Sequence, residues 1–148
     1  METHRDKSPF RILIADDDHD DIVIVREVLS ALGDLIQLDH VVDGQSLIDL
    51  LLMRKNQREI PIPDLIFLDL NMPRKSGLET LRELKGDKEL CEIPVTVLST
   101  ASDRRQIGEV YALGANCYIT KPAHYNDWLI IMRGLLQFFS RKNIPLTA

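Results

Sequence analysis

The predicted fold is decided by one stretch of the chain, Leu65-Ile66-Phe67-Leu68-Asp69-Leu70-Asn71-Met72-Pro73. Its four leading apolar residues are typical of a strand that is buried on both faces, as in a parallel sheet covered by helices. Asp69 follows where this strand must leave the core, and Pro73 helps to turn the chain. A carboxylate at the end of a buried strand is costly to desolvate, so Asp69 either caps a turn or meets a compensating charge.

Similar patterns predict the remaining strands, and segments with helical spacing alternate with them. The predicted strands cover residues 12–15, 36–42, 65–68, 95–98 and 117–120. The predicted helices cover residues 22–32, 47–54, 78–84, 103–113 and 125–139, and Asp18 and Gly33 are expected to cap the first of them. The mixed polarity of residues 36–42 is typical of a strand at the sheet edge. The alternation predicts an α/β fold with a parallel sheet and right-handed crossovers.

Length and charge narrow the function classes. The 148 residues fit one domain, which we place at 11–140 between a polar lead-in (1–10) and a tail (141–148). A net charge of -5 without a basic run argues against a nucleic-acid partner. No apolar run approaches the roughly 20 residues needed to cross a bilayer, and we see no signal peptide, so we expect a cytoplasmic protein without membrane contact. Cys91 and Cys117 are expected to be free thiols.

Reactive side chains directly follow the predicted strands. Asp16-Asp17, Asp69, Ser99 and Lys121 each come after an apolar run. Because ligands of parallel sheets bind beyond the carboxyl ends of the strands, we expect these groups to form a site. Three crowded carboxylates need a cation among them, and oxygen ligands suit Mg²⁺. Carboxylates can attack phosphorus, while Lys121 can neutralise a phosphate oxygen, so the pattern predicts phosphoryl transfer to an aspartate.

These segments resemble the receiver domain of two-component response regulators over about residues 10–140. The motifs that carry the resemblance are Ile12-Leu13-Ile14-Ala15-Asp16-Asp17, Asp69-Leu70-Asn71-Met72-Pro73, Pro94-Val95-Thr96-Val97-Leu98-Ser99 and Gly114-Ala115-Asn116-Cys117-Tyr118-Ile119-Thr120-Lys121-Pro122. The resemblance implies a flavodoxin-like (βα)5 doubly wound parallel sheet with strand order 2-1-3-4-5. It also implies a phosphoacceptor protein that is not an enzyme in its own right.

The resemblance implies a role for each site residue. Asp69 would accept the phosphoryl group, and Mg²⁺ would be held by Asp17, Asp69 and the backbone carbonyl of Asn71, with Asp16 acting through a bound water. Ser99 and Tyr118 would switch together, and Lys121-Pro122 would be a cis peptide. The hydroxyl pair Ser99-Thr100 leaves open which of the two meets the phosphate, although strand register favours Ser99.

Within the family, the chain most resembles stand-alone regulators that partner phytochrome-type histidine kinases. The long connection from Gly86 to Pro94, the strand end Leu98-Ser99-Thr100-Ala101-Ser102 and the absence of an output domain favour this assignment. The alternative is a chemotaxis-type receiver that acts on another protein. The resemblance to the receiver family also implies a homodimer through the fourth helix, fifth strand and fifth helix, a face that binds targets in that family.

The fifth predicted helix is apolar nearly all round, although packing on the sheet needs only one stripe. We therefore expect a second stripe, formed by Trp128, Met132 and Leu135, to meet another protein. The alternative is that a C-terminal segment folds back over it.

Two other functions compete with the receiver. A haloacid-dehalogenase-type phosphatase would use Asp16 as its nucleophile and Asp18 as its acid, but Asp20 stands where that family expects Thr or Val. A phosphatase of this type would also leave Asp69 without a role. A binding module that has lost phosphotransfer is disfavoured by the complete set of acids and Lys121. His19 and His124 are isolated and are expected to be surface residues without a metal.

Overall fold

A computed structural model describes residues 8–100 and 103–140 as a parallel sheet flanked by helices. The strands are β1 (Phe10–Ala15), β2 (Ile36–Val41), β3 (Leu65–Leu68), β4 (Val95–Ser99) and β5 (Cys117–Thr120). The helices are α1 (His19–Leu32), α2 (Gly44–Gln57), α3 (Gly77–Gly86), α4 (Arg104–Ala112) and α5 (Tyr125–Phe139), and a 3₁₀ turn covers Leu90–Glu92. The strand order β2-β1-β3-β4-β5 confirms the predicted α/β topology, with β2 at one edge.

Helix ends follow local side-chain chemistry. Asp18 caps α1 by accepting a hydrogen bond from the backbone N of Asp20, and Gly33 closes the helix, as predicted. α3 begins one residue earlier than predicted because Ser76 and Glu79 form a capping box. α2 continues to Gln57 and ends at Arg58, whose φ of 56° is left-handed. This helix is therefore longer than the predicted range 47–54 by three residues at each end.

Each face of the sheet packs on its own apolar cluster. Residues that alternate along the strands point to opposite sides, so Leu13 and Ile66 face α2 and α3, while Ile12 and Phe67 face α1 and α5. β1 begins at Phe10 because this buried residue pairs with Ile36, a start that the polar Arg11 hides in the sequence. Helices on both faces leave only the strand ends free for a site.

The prediction of a second binding stripe on α5 was wrong. Trp128, Met132 and Leu135 are buried in the core beneath the helix, because their spacing of four and three residues places them on the face toward the sheet. The exposed apolar residues of α5 are others, chiefly Ile130 (70% exposed) and Phe138 (80% exposed). The tail 141–148, which was the alternative cover for this helix, lies outside the described residues.

The structure also tests the expectations about the Lys121-Pro122 peptide bond and the two cysteines. None of the described peptide bonds is cis, so the expected cis bond at Lys121-Pro122 was wrong, and this bond has the trans form that X–Pro favours by about 0.5–1 kcal/mol. Cys91 and Cys117 are free, as predicted. Among the described residues, no helix has the length and apolar character needed to span a bilayer.

The packing of α5 predicts very different costs for two substitutions on the same helix. Met132→Ala removes a fully buried side chain and should lower the free energy of unfolding by about 2–5 kcal/mol. Ile130→Ala changes an exposed residue and should cost no more than about 0.5 kcal/mol. Urea unfolding followed by circular dichroism measures both. Equal costs for the two substitutions would contradict the core-facing orientation of Met132.

Candidate functional site

The acidic residues after β1 and β3 are held side by side by backbone hydrogen bonds that continue the sheet. The backbone N of Asp16 donates to the carbonyl of Val41 at 3.1 Å, and the backbone N of Asp69 donates to the carbonyl of Ala15 at 3.0 Å. Each residue is thus fixed one position beyond its strand, where the neighbouring strand still offers a carbonyl acceptor. Both carboxylates consequently project at the carboxyl edge of the sheet.

Asp16, Asp17 and Asp69 form an acidic group at this edge. Their carboxylate oxygens lie within 4.8 Å of one another, and no other cluster of at least three His, Cys, Asp or Glu side chains in residues 8–100 and 103–140 is as compact. Asp16 is 1% exposed and Asp69 is 6% exposed, whereas Asp17 opens to solvent. Three converging oxygen donors with one open side fit a hard divalent cation that retains some of its waters. The residues therefore fit the metal site that the sequence predicted.

Lys121 supplies a positive charge to these carboxylates. It follows β5, and its backbone N donates to the carbonyl of Ser99 at 2.9 Å, which brings the ends of β4 and β5 together. Its Nζ lies 2.7 Å from Asp21 Oδ2, 2.9 Å from Asp16 Oδ2 and 3.5 Å from Asp69 Oδ2. The ammonium group is nearly buried, so these ion pairs are poorly screened by water.

Burial and charge shift the acid–base behaviour of the site. The pKa of Asp69 is raised to about 6: burial is the main cause, the charge of Lys121 opposes the shift, and the neighbouring Asp16 adds to it. Burial alone would lower the pKa of Lys121, but its hydrogen bonds to Asp21 and Asp16 outweigh burial and hold it above its usual range. One permanent ammonium thus faces an acidic group that it does not fully neutralise, which leaves attraction for a further cation.

The hydroxyl residues and Tyr118 occupy defined places near this edge. Ser99 is fully buried at the end of β4, beside Thr120 of β5, whereas Thr100 is exposed. The burial of Ser99 agrees with the strand register that favoured it over Thr100. Tyr118 is half-buried on β5, where its backbone N donates to the Tyr111 hydroxyl at 3.0 Å. The switching of Ser99 with Tyr118 stays a prediction.

The chain directly after Asp69 is held in a tight turn. The backbone N of Gly77 donates to the carbonyl of Leu70 at 2.9 Å, and a Cβ on Gly77 would lie 2.3 Å from the carbonyl O of Asp69. Only glycine therefore allows α3 to start so close to the phosphoacceptor candidate. Asn71 is exposed in this turn, and its backbone N lies 3.5 Å from Asp69 Oδ1. The use of its carbonyl as a metal ligand stays a prediction.

Sequence reasoning missed Asp21. This residue lies in the first turn of α1, where an acid is ordinarily explained by the helix dipole, and its carboxylate makes the shortest ion pair with Lys121. The two residues are separated by 100 positions in the chain, so only the packing of α1 against α5, the helix that follows Lys121, brings them together. The remaining predicted surface residues, His19 and His124, are exposed at helix starts, as expected.

The raised pKa of Asp69 predicts a pH-dependent gain in stability for Asp69→Asn. An acid whose folded pKa is raised binds its proton more tightly in the folded state, so its ionisation costs stability as the pH rises from about 4 through about 6. Without divalent cations, Asp69→Asn should therefore be more stable than the wild type at neutral pH, by about 1–3 kcal/mol, and equally stable near pH 4. Urea unfolding across this pH range measures the difference.

Magnesium provides the control for that experiment. Saturating Mg²⁺ should remove the stability advantage of Asp69→Asn at neutral pH. The cation binds the wild-type carboxylate and stabilises the folded protein, whereas it binds the neutral amide of the variant less tightly. A gain in stability that is the same at every pH would show instead that the effect arises from packing.

Comparisons with known proteins agree with this geometry. Residues 12–132 match the response regulator receiver domain. The chain is 34% identical over 131 residues to Response regulator Rcp1 of Synechocystis sp., a match that covers 88% of this chain and 89% of Rcp1. The structure of the phosphorylated cyanobacterial phytochrome response regulator RcpA is 35% identical, with a TM-score of 0.82 over 93% of this chain and 99% of RcpA. The Mn²⁺-bound form of Rcp1 is 33% identical, with a TM-score of 0.76 over 95% of this chain and 100% of Rcp1.

These matches extend over most of the chain and over nearly all of the relatives. They include the fold with its strand order, and of the two solved relatives one is phosphorylated and the other holds Mn²⁺. The motifs at the four strand ends and the matches together confirm the resemblance seen in the sequence. The chain belongs to the response regulator receiver domain family of two-component signalling proteins, close to Rcp1 and RcpA.

Proposed function

We propose that Asp69 accepts a phosphoryl group from the phosphohistidine of a histidine kinase. A carboxylate oxygen of Asp69 attacks phosphorus, the bond from phosphorus to the histidine nitrogen breaks, and the nitrogen keeps that electron pair. The observation that carries the proposal is the buried Asp69 carboxylate, which shares one edge with Asp16, Asp17 and the ammonium of Lys121. Asp69 is the carboxylate that directly follows β3, the central strand of the sheet, and it is buried there.

The cation of this reaction is Mg²⁺ in our proposal. The carboxylates of Asp17 and Asp69 and the carbonyl of Asn71 would hold it, and Asp16 would act through a bound water. When bound, the cation offsets the negative charge on the phosphoryl oxygens. Lys121 performs a related task from the protein side, because its ammonium already lies within 3.5 Å of the Asp69 carboxylate.

The proposed donor is a phytochrome-type histidine kinase. This assignment is supported by the likeness to Rcp1 and to RcpA, which is described as a phytochrome response regulator. A chemotaxis-type receiver that acts on another protein is the alternative. The proposed protein is a cytoplasmic phosphoacceptor that contacts neither nucleic acid nor membrane. Besides transfer from the kinase, its chemistry is at most phosphorylation from small donors and self-dephosphorylation.

Phosphorylation would be read out on the surface formed by α4, β5 and α5. We propose that Ser99 and Tyr118 transmit the change at Asp69 to this surface, which forms a homodimer. The surface carries exposed apolar side chains, with Tyr111 on α4 (48% exposed) and Ile130 on α5 (70% exposed). The Tyr111 hydroxyl accepts a hydrogen bond from the backbone of Tyr118, so α4 and β5 are already linked at the switch residue.

The geometry disfavours the haloacid-dehalogenase-type phosphatase. Asp16 would have to be a free nucleophile, yet its Oδ2 pairs with Lys121 at 2.9 Å and its Oδ1 accepts from the backbone N of Asp18 at 3.0 Å. The acid of that mechanism, Asp18, caps α1 with its side chain. Neither residue is placed for the role that the phosphatase requires.

Incubation with acetyl phosphate tests the proposed phosphoacceptor. We expect the intact mass of the wild type to increase by one phosphoryl group in the presence of Mg²⁺ and to stay unchanged with chelator. Asp69→Asn should gain nothing, because an amide is not a nucleophile toward phosphorus. Asp20→Asn is the matched control, since Asp20 is an exposed acid in the first turn of α1. A gain in Asp69→Asn would show that another residue is the acceptor.

Substitution of Ile130 tests the dimer surface. Ile130→Asp places a charge on the α5 part of the proposed apolar contact and should weaken dimerisation of the phosphorylated protein by at least about tenfold. Sedimentation equilibrium measures the effect. Val23→Asp is the control, because Val23 is exposed on α1, which is none of the three elements of this surface. Equal dimer affinities for the two variants would exclude the surface formed by α4, β5 and α5.

A further inference from the structure

The ion pair between Asp21 and Lys121 has no part in the function described above. We propose that Asp21 is a positioning residue, which holds the Lys121 ammonium beside the phosphoacceptor while leaving the oxygens of Asp16 and Asp69 available to a divalent cation. The proposal rests on the proposed function of Asp69. It assigns a role in cation binding to a residue of α1 that is not among the metal ligands proposed above.

The contacts of Lys121 differ in a way that supports this role. Its Nζ lies 2.7 Å from Asp21, closer than the 2.9 Å to Asp16 and the 3.5 Å to Asp69. Asp16 and Asp69 belong to the acidic group whose oxygens lie within 4.8 Å of one another, and Asp21 does not. A cation that binds Asp69 directly and Asp16 through a water therefore engages two partners of Lys121 and leaves Asp21 to it.

Asp21 is well suited to hold the ammonium in place. Its side chain is only 18% exposed, so the ion pair is partly shielded from water. Asp21 belongs to the first turn of α1, which is fixed by the Asp18 side chain and by a hydrogen bond of 3.2 Å from the backbone N of Ile22 to the carbonyl of Asp18. Because this helix turn is capped, the Asp21 carboxylate keeps its position when the Lys121 side chain moves. It therefore limits how far Lys121 shifts toward the acidic group.

Loss of Asp21 would turn Lys121 into a competitor for the metal site. The contacts that remain for its ammonium are Asp16 and Asp69, and both are needed by the cation. Two cations that require the same oxygens exclude each other, so tighter engagement of Lys121 weakens cation binding. The effect of Asp21 on cation affinity should consequently act through Lys121.

The ordinary explanation of Asp21 is that it stabilises the positive end of the α1 dipole. Asp20 separates the two explanations, because it lies in the same first turn with the same charge. Among the described contacts Asp20 makes no ion pair with Lys121, whose salt bridges are with Asp16, Asp21 and Asp69. A dipole effect would be shared by Asp20 and Asp21, whereas an effect through Lys121 belongs to Asp21 alone.

A double-mutant cycle read out by isothermal titration with Mg²⁺ tests the proposal. The variants are Asp21→Asn, Asp20→Asn, Lys121→Met and the double variant of Asp21 and Lys121, each checked for folding by thermal unfolding. Asp21→Asn should weaken Mg²⁺ binding by about tenfold, as is typical for residues that support a metal site from outside its ligand set. Asp20→Asn should change the affinity by less than about twofold, because its charge is exposed and screened. In the Lys121→Met background, Asp21→Asn should lose most of its effect.

Three results would overturn the proposal. These are an affinity for Asp21→Asn equal to that of Asp20→Asn, a stronger affinity than the wild type, or an undiminished effect in the Lys121→Met background. If Asp21→Asn does not fold, Asp21→Ser takes its place in the cycle. The mass gain of the wild type with acetyl phosphate is measured in parallel. A wild type that is phosphorylated on Asp69 but shows no coupling refutes the role of Asp21 alone, whereas a wild type that accepts no phosphoryl group refutes the proposed function.

Discussion

A single buried ammonium faces three carboxylates at the carboxyl edge of the sheet, and the rest of the site depends on this imbalance of charge. Lys121 contacts Asp16, Asp21 and Asp69, and Asp17 adds a further negative charge nearby. Charges that are removed from water interact strongly, so the edge attracts positive charge and resists further negative charge. The phosphoryl group that we propose on Asp69 would therefore need a cation beside it. The electrostatics of the chain itself thus support the proposed dependence on a divalent cation.

The parallel sheet creates this crowding of charge. Strands buried on both faces must be apolar along their length, so polar side chains can appear only where the strands end. The crossovers bring those ends to one edge, and backbone hydrogen bonds one residue beyond β1 and β3 fix Asp16 and Asp69. Gly77 then lets α3 begin against the carbonyl of Asp69. Each acid is held by backbone geometry, which leaves its carboxylate little freedom to escape its neighbours.

The fold and most of the site could be predicted because they follow from patterns along the chain. Strand ends are visible as apolar runs that stop at Asp16, Asp69, Ser99 and Lys121, and the cap at Asp18 is visible as a local helix signal. The orientation of α5 could not be predicted, since a helix that is apolar nearly all round does not reveal which stripe faces the sheet. The partner of Lys121 on α1 was missed for a related reason. Asp21 looks like any acid in a first turn, and its ion pair exists only because α1 packs against α5, the helix that follows Lys121.

The most direct test of the account is to locate the phosphoryl group. Borohydride reduces an aspartyl phosphate to homoserine, so reduction of the phosphorylated protein and peptide mass spectrometry identify the modified residue. We predict homoserine at position 69 only, with Asp16, Asp17 and Asp21 unchanged. Homoserine at position 16 would contradict it and would favour a phosphatase-like nucleophile. Modification that is spread over the acidic residues would show that the edge does not distinguish one carboxylate from the others.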